Sequence, residues 1–286
     1  MELALGTVQF GLPYGIAGRD TPVPESDVRT ILARAWGLGI RVLDTAAAYG
    51  DIEGRLADLM GDHAFQVVTK IPPLPVDFTV EQATTWVTGT LTQAHKHLGP
   101  HLDTVMLHRA EDLLGPQAGV VWAACTEFAG QYGVQLGVSC YDIPTLNAVR
   151  VHHAVQVAQL PGNALDQRLA TFPLQQPVPA VHLRSAFLQG LLLMPLAEAV
   201  ARLPLAREAL QRWHAWCVDH ELPPLTAALG FVKGMPHVSH CVVGVDDVGQ
   251  LEAIAAAWQA APVLHDPALA WSDLAVIDPR HWPART

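Results

Sequence analysis

The sequence predicts an α/β fold, a single-domain (β/α)8 TIM barrel, and three observations carry that expectation. Eight short apolar runs recur along the 286 residues, each followed in most cases by a segment of helical period or composition. Strand alternating with helix points to a parallel sheet, because parallel neighbours need a crossover and a helix supplies it. The units are evenly spaced with no linker between them, which favours a closed ring of eight over an open doubly wound sheet, and 286 residues is an ordinary length for one such barrel.

In order, the apolar runs are ELALGTV (2–8), IRVLDTA (40–46), QVVTKI (66–71), LDTVMLH (102–108), VQLGVS (134–139), AVQVAQL (154–160), PAVHLRS (179–185) and HCVVGV (240–245). Helical segments are expected over 25–39, 53–61, 80–99, 118–133, 143–152, 204–220 and 247–259. Gly39, Gly99 and Gly133 close three of them, where a left-handed cap suits a residue without a Cβ. The connection from about Pro161 to Pro177 is irregular and contains prolines, so no regular helix is assigned there. LRSAFLQGLLLMPLAEAVARL is the most apolar stretch, but two arginines and a glutamine interrupt it; it reads as a buried strand and loop entering a helix, not a membrane span. Residues 262–286, rich in Pro, Asp and Trp, read as a tail packed on the barrel within one domain of residues 1–286.

The formal charge of −10 argues against nucleic acid or an anionic membrane as partner, since both require a basic face. Cys125, Cys140, Cys217 and Cys241 lie far apart without a CxxC, and the N-terminus lacks a basic start followed by a long apolar run; both point to a cytoplasmic protein with reduced thiols. The histidine groups at 95–97, 152–153 and 237–240 fall mainly at helix ends and loops, so no metal site is expected. Neither a P-loop nor a GxGxxG is present.

Active sites of such barrels form at the C-terminal ends of the strands. The second run ends on Asp44 with Tyr49 just beyond, the third carries Lys70, and the fourth ends on His108. Each alone is ordinarily a solvated strand end. Together they offer a carboxylate, a phenol, an amine and an imidazole on one rim, a set suited to proton transfer. A facing ammonium is expected to lower the phenol pKa of Tyr49, with Asp44 orienting Lys70 and His108 holding a substrate carbonyl.

LDTAAAYG, VVTK, LHR and LGVS, in that order, resemble the aldo-keto reductases; LGTVQFGLPYG resembles their first strand and loop, and VVGVDDVGQLEAI their last strand and helix. The resemblance covers roughly residues 3 to 258. It implies reversible, NAD(P)H-dependent interconversion of an aldehyde or ketone (a sugar among the possibilities) and its alcohol. Asp44, Tyr49, Lys70 and His108 then match the catalytic tetrad, with Tyr49 as general acid. The cofactor positions implied are Gly6, Thr7, Asp44, Ser139, Gln156, Arg184, Phe187, Gln189, Gly244, Asp246 and Gln250. Several residues at or beside these positions depart from the family pattern. Cys140 follows Ser139 in place of an asparagine. Arg184 replaces an aromatic that stacks on the nicotinamide. Asp246 replaces a serine near the 2′-phosphate, with Asp247 next to it. The family default is NADP(H); the two carboxylates favour tolerance of NAD(H). Ala253 and Ile254 replace residues that usually hold the adenine. Phe10, Tyr14 and Trp122 are candidate lining residues. The competing reading is a cofactor-binding redox-sensing or regulatory subunit of the same fold, with little turnover. The oligomeric state is not legible.

Overall fold

The computed structural model describes residues 1–172 and 174–283. Eight strands close a barrel in sequence order: β1 (Glu2–Gly6), β2 (Val42–Asp44), β3 (Gln66–Ile71), β4 (Leu102–Leu107), β5 (Gln135–Ser139), β6 (Val157–Pro161), β7 (Ala180–Arg184) and β8 (Val238–Gly244). Every neighbouring pair is parallel, and β1 seals the ring against β8, from Glu2 opposite His240 to Gly6 opposite Gly244. Outside lie α1 (Glu25–Gly37), α2 (Ile52–Met60), α3 (Val80–Leu98), α4 (Ala118–Tyr132), α5 (Ile143–Arg150), α6 (Leu196–Arg202), α7 (Arg207–Asp219), α8 (Pro224–Lys233) and α9 (Val248–Ala260).

Periodicity explains both layers. In α3 the buried residues Ala83, Val87, Leu91, Ala94 and Leu98 fall three or four apart and form one stripe against the sheet. Its start is fixed by a capping box: Gln82 N donates to Thr79 Oγ1 at 3.2 Å, and Thr79 N donates to Gln82 Oε1 at 2.8 Å. Strand side chains alternate. Leu3, Leu5, Leu43 and Val67 pack under the helices, whereas Ala4, Val42, Val68, Met106 and Val157 meet in a separate cluster with Ala180 and Val242 packed against it. That second set fills the lumen. Two residues further along each strand, the same face reaches the C-terminal rim with Gly6, Asp44, Lys70, His108, Gln159 and Gly244. Period two thus carries polar side chains to the rim on top of an apolar plug.

The crossover from β7 to β8 differs from the sequence expectation. It holds three helices, and α8, which was not anticipated, is one of them. Its sequence PLTAALGFVK is apolar on nearly every face, with Ala227 through Val232 buried, so it lacks an amphipathic period. Pro224 at its first turn is compatible with a helix start. The Pro161–Pro177 connection forms a single turn at Arg168–Thr171. A satellite core beside β7 gathers Leu165, Leu192, Leu210 and Phe231 around Trp213, whose Nε1 donates to Leu192 O at 2.9 Å. Leu269, Val276 and Ile277 of the tail join this core, and Trp271 N donates to Leu165 O at 2.9 Å. The last three residues of the 262–286 tail lie outside the described residues. All four cysteines are buried free thiols, and among the described residues no helix is long and apolar enough to cross a membrane.

Candidate active site

At the rim, Lys70 Nζ donates to Asp44 Oδ1 at 2.6 Å and to Thr45 O at 2.9 Å, and Gln159 Nε2 donates to Asp44 Oδ2 at 2.6 Å. Asp44, Lys70 and Gln159 are all buried, so one carboxylate ties three strands together where water does not screen it. Tyr49 follows a tight turn after β2, with its N–H on Ala46 O at 3.0 Å. Its ring centre lies 5.3 Å from Lys70 Nζ and meets the His108 ring edge to face at 5.9 Å. The four expected residues therefore converge.

Their electrostatics differ from the expectation in one respect. Burial, and then the Asp44 carboxylate, push the Tyr49 phenol above its ordinary value. The expected lowering is absent: burial dominates, and Lys70 gives its hydrogen bonds to Asp44 and Thr45. Burial holds the Lys70 amine below its usual range, with Asp44 opposing. Burial and then Lys70 push His108 down to about 4, so its imidazole is neutral at pH 7. Among the described residues, His108 Nδ1 has no partner.

From this cluster a cleft of about 430 Å³ runs along the rim, bordered at one end by Asp44, Tyr49 and Arg184 and at the other by Gln250 and Ile254. Gly6, Thr7, Phe187, Gln189, Gly244 and Asp246 also line it. Two loops meet over it. Ala17 N, after β1, donates to Gln189 O, after β7, at 3.4 Å. The second loop winds through left-handed backbone at Ser185, Leu188, Gln189 and Gly190. Gly190 has φ +88°, and a Cβ there would meet Ala17 Cβ at 2.5 Å, so only glycine lets the loops touch.

Other expected positions divide. Gln156 is a correction: it precedes β6 at the far end of the strand, and its Oε1 accepts from Leu136 N at 2.9 Å. The glutamine that reaches the rim is Gln159, three residues on and on the lumen side. Ser139 is buried at the end of β5, in register with Gln159, but does not border the cleft. Asp247 caps α9, accepting from Gln250 N at 2.8 Å, and does not line the cleft, whereas Gln250 Oε1 accepts from Asp246 N at 2.9 Å. Tyr14 lines the cleft; Phe10 is in the core, and Trp122 packs on His153 at 5.1 Å. Among the described residues no group of three or more His, Cys, Asp or Glu is arranged to hold a metal. Sequence reasoning missed Gln159, Gly15, Ala17, Gly18 and Gly190; the glycines in PYGIAG were the available signal for the loop after β1.

A closed parallel barrel with a polar cluster and an elongated cleft at its C-terminal rim has the architecture of a barrel enzyme. The chain belongs to the aldo/keto reductase family, whose model matches residues 2–267. It is accordingly an oxidoreductase, in a family that reduces carbonyl compounds with nicotinamide cofactors. A search of curated protein sequences gives no match. Among solved structures it is similar to the holo form of an aldo-keto reductase from Bacillus halodurans, at 19% identity and a TM-score of 0.72, over 98% of this chain and 95% of that one. It is also similar to a protein of Pseudomonas aeruginosa assigned to the aldo-keto reductases, at 19% identity and a TM-score of 0.65, over 91% of this chain and 90% of that one. At such identity the likeness concerns the fold.

Proposed function

We propose that the chain interconverts an aldehyde or ketone and its alcohol using NADPH or NADH, with Tyr49 as the acid and base. The observation that carries this is the placement of the Tyr49 phenol beside the Asp44–Lys70–Gln159 cluster, at one end of a cleft with room for an elongated ligand. The residues suit a dinucleotide. Gln9 Oε1 is a buried acceptor with no partner among the described residues, and Gly6, Gly15, Gly18 and Gly190 let backbone line the cleft. A bound nicotinamide supplies the hydride. Gln159 would hold its carboxamide end; Thr7, Phe187 and Gln189 the pyrophosphate; Asp246, Gln250 and Ile254 the adenosine.

In the reducing direction, Tyr49 gives its proton to the carbonyl oxygen as negative charge develops there. Its raised pKa keeps that proton in place up to alkaline pH. Neutral His108, edge-on to Tyr49, holds the same oxygen. Lys70 supplies positive charge behind the phenol, and Asp44 fixes Lys70. The four buried thiols accord with a reducing compartment such as the cytoplasm. Tyr49→Phe is expected to lower kcat for reduction by about 10²–10⁴-fold, while the nucleotide Kd, read by fluorescence, stays near that of the parent. A Tyr49→Phe protein with parental kcat on a substrate limited by chemistry would remove Tyr49 from the role. Tight nucleotide binding with no turnover over a broad carbonyl panel would favour the redox-sensing reading.

A further inference from the structure

The catalytic end of the cleft carries a positive charge that the chemistry above does not use. Arg184 closes β7 on the lumen side and borders the cleft. A guanidinium stays charged throughout the working pH range and offers five N–H donors. Here Nη2 donates to Cys140 O at 3.2 Å, and among the described residues the side chain makes no other hydrogen bond and no ion pair. Its surroundings do not neutralise it. Lys70 is already matched by Asp44, and His108 is neutral at pH 7. Glu111 and Asp142 lie further along the rim, near Cys140, and neither pairs with Arg184.

The guanidinium is also held in place. Tyr141 lies between two arginines, with Arg184 Cζ 4.1 Å from its ring centre and Arg280 Cζ 3.3 Å from it. Arg280 comes from the tail and is neutralised by the buried Asp278, its Nη2 lying 2.6 Å from Oδ2. Column order is therefore paired arginine, tyrosine, unpaired arginine, and the unpaired member faces the cleft. Stacking of this kind fixes a planar fork before a ligand arrives, and such a fork matches the two oxygens of a carboxylate or phosphate.

We propose that Arg184 binds a carboxylate or phosphate group carried by the carbonyl substrate, so that the chain acts on anionic aldehydes or ketones. This rests on the carbonyl-reductase reading and adds the class of substrate. The test compares kcat/KM within matched pairs, succinic semialdehyde against butyraldehyde and glyceraldehyde 3-phosphate against glyceraldehyde. It uses the parent protein, Arg184→Met and Tyr141→Ala, and measures nucleotide Kd alongside. The parent is expected to prefer the anionic member of at least one pair by about tenfold or more. Arg184→Met should reduce that preference by about 10- to 100-fold, mainly through KM, as befits a charge-assisted bond. Tyr141→Ala should reduce it less. Succinate should inhibit butyraldehyde reduction competitively in the parent, a measurement that needs no variant to fold.

Three results would overturn the inference while leaving the reductase reading intact. One is a parent that turns over aldehydes with no preference for either anion. Another is an Arg184→Met protein that loses equally on both members of each pair. The third is an Arg184→Met protein with weakened nucleotide Kd and unchanged preference, which would assign the arginine to a cofactor phosphate. A parent that neither binds nucleotide nor turns over any aldehyde would remove the reductase reading, and this one with it.

Discussion

Asp44 accepts from Lys70 with one oxygen and from Gln159 with the other, so losing either donor leaves a buried carboxylate underpaired. Gln159→Leu is therefore expected to cost about 1–3 kcal/mol of stability, read as a lower denaturant midpoint, and to weaken nucleotide binding. Gln156→Ala should leave nucleotide affinity as it was; equal losses from both would place the working glutamine back at 156. The sequence could not separate them, because AVQVAQL offers a glutamine on each side of the pleat. Only the register against β5 and β7 says which one faces the lumen. Asp44, Tyr49, Lys70 and His108 were legible because each stands at or just past the end of an apolar run. The direction of the phenol shift was not, since it depends first on how deeply the folded barrel buries Tyr49 and then on the nearby Asp44 charge. With Tyr49 above its usual range and His108 near 4, kcat/KM for reduction is expected to stay flat from about pH 6 to about pH 9. An acid limb near pH 6.5 in the rate profile would show that His108 titrates as an ordinary imidazole.

Two elements decide how the cleft holds a ligand. The loop after β7 can touch the loop after β1 only because Gly190 lacks a Cβ. Gly190→Ala is expected to weaken nucleotide binding by about 5- to 100-fold, the equivalent of roughly 1–3 kcal/mol of backbone strain. Titration by fluorescence checks this, and an unchanged Kd would show that the loop contact plays no part in binding. The start of α9 separates two adjacent aspartates by position, Asp246 on the cleft and Asp247 in the helix cap. Asp247→Ala removes a helix cap and should cost about 1 kcal/mol without altering the NADPH to NADH ratio of kcat/KM. Asp246→Ser should raise that ratio, since Asp246 borders the cleft where a carboxylate repels a 2′-phosphate. A ratio already far above ten in the parent and unmoved by the substitution would separate Asp246 from the 2′ position. The DD pair was visible in the sequence; which of the two faces the ligand is set by the cap geometry. Helix α8 escaped notice for the opposite reason, since burial on all sides erases the pattern that reveals a helix.

The barrel as a whole was readable from eight apolar runs, but its lumen was not, because strand period alone does not say which face closes inward. His182 illustrates this. It lies in the lumen with its ring 4.7 Å from His240, and among the described residues its Nδ1 has no partner. Burial, and then His240, push it down to about 4. In the unfolded chain it titrates near 6.5. Between those values the unfolded state binds the proton and the native state does not. Stability is therefore full above about pH 6.5, falls as pH drops toward 4, and levels off below, by on the order of 3 kcal/mol from this group. Urea midpoints measured from pH 7 to pH 4.5 should fall, and fall less in His182→Leu; parallel slopes would assign the acid loss elsewhere. The seam between β1 and β8 has a consequence in time. A ribosome delivers β1 long before β8, so β1 waits with one raw edge while β2 to β7 are made. The ring cannot shut until Val238 and the residues after it emerge, and that closure is the most non-local strand pairing in the barrel. A nascent chain stalled before that point presents two bare strand edges to its neighbours, a state in which self-association competes with folding.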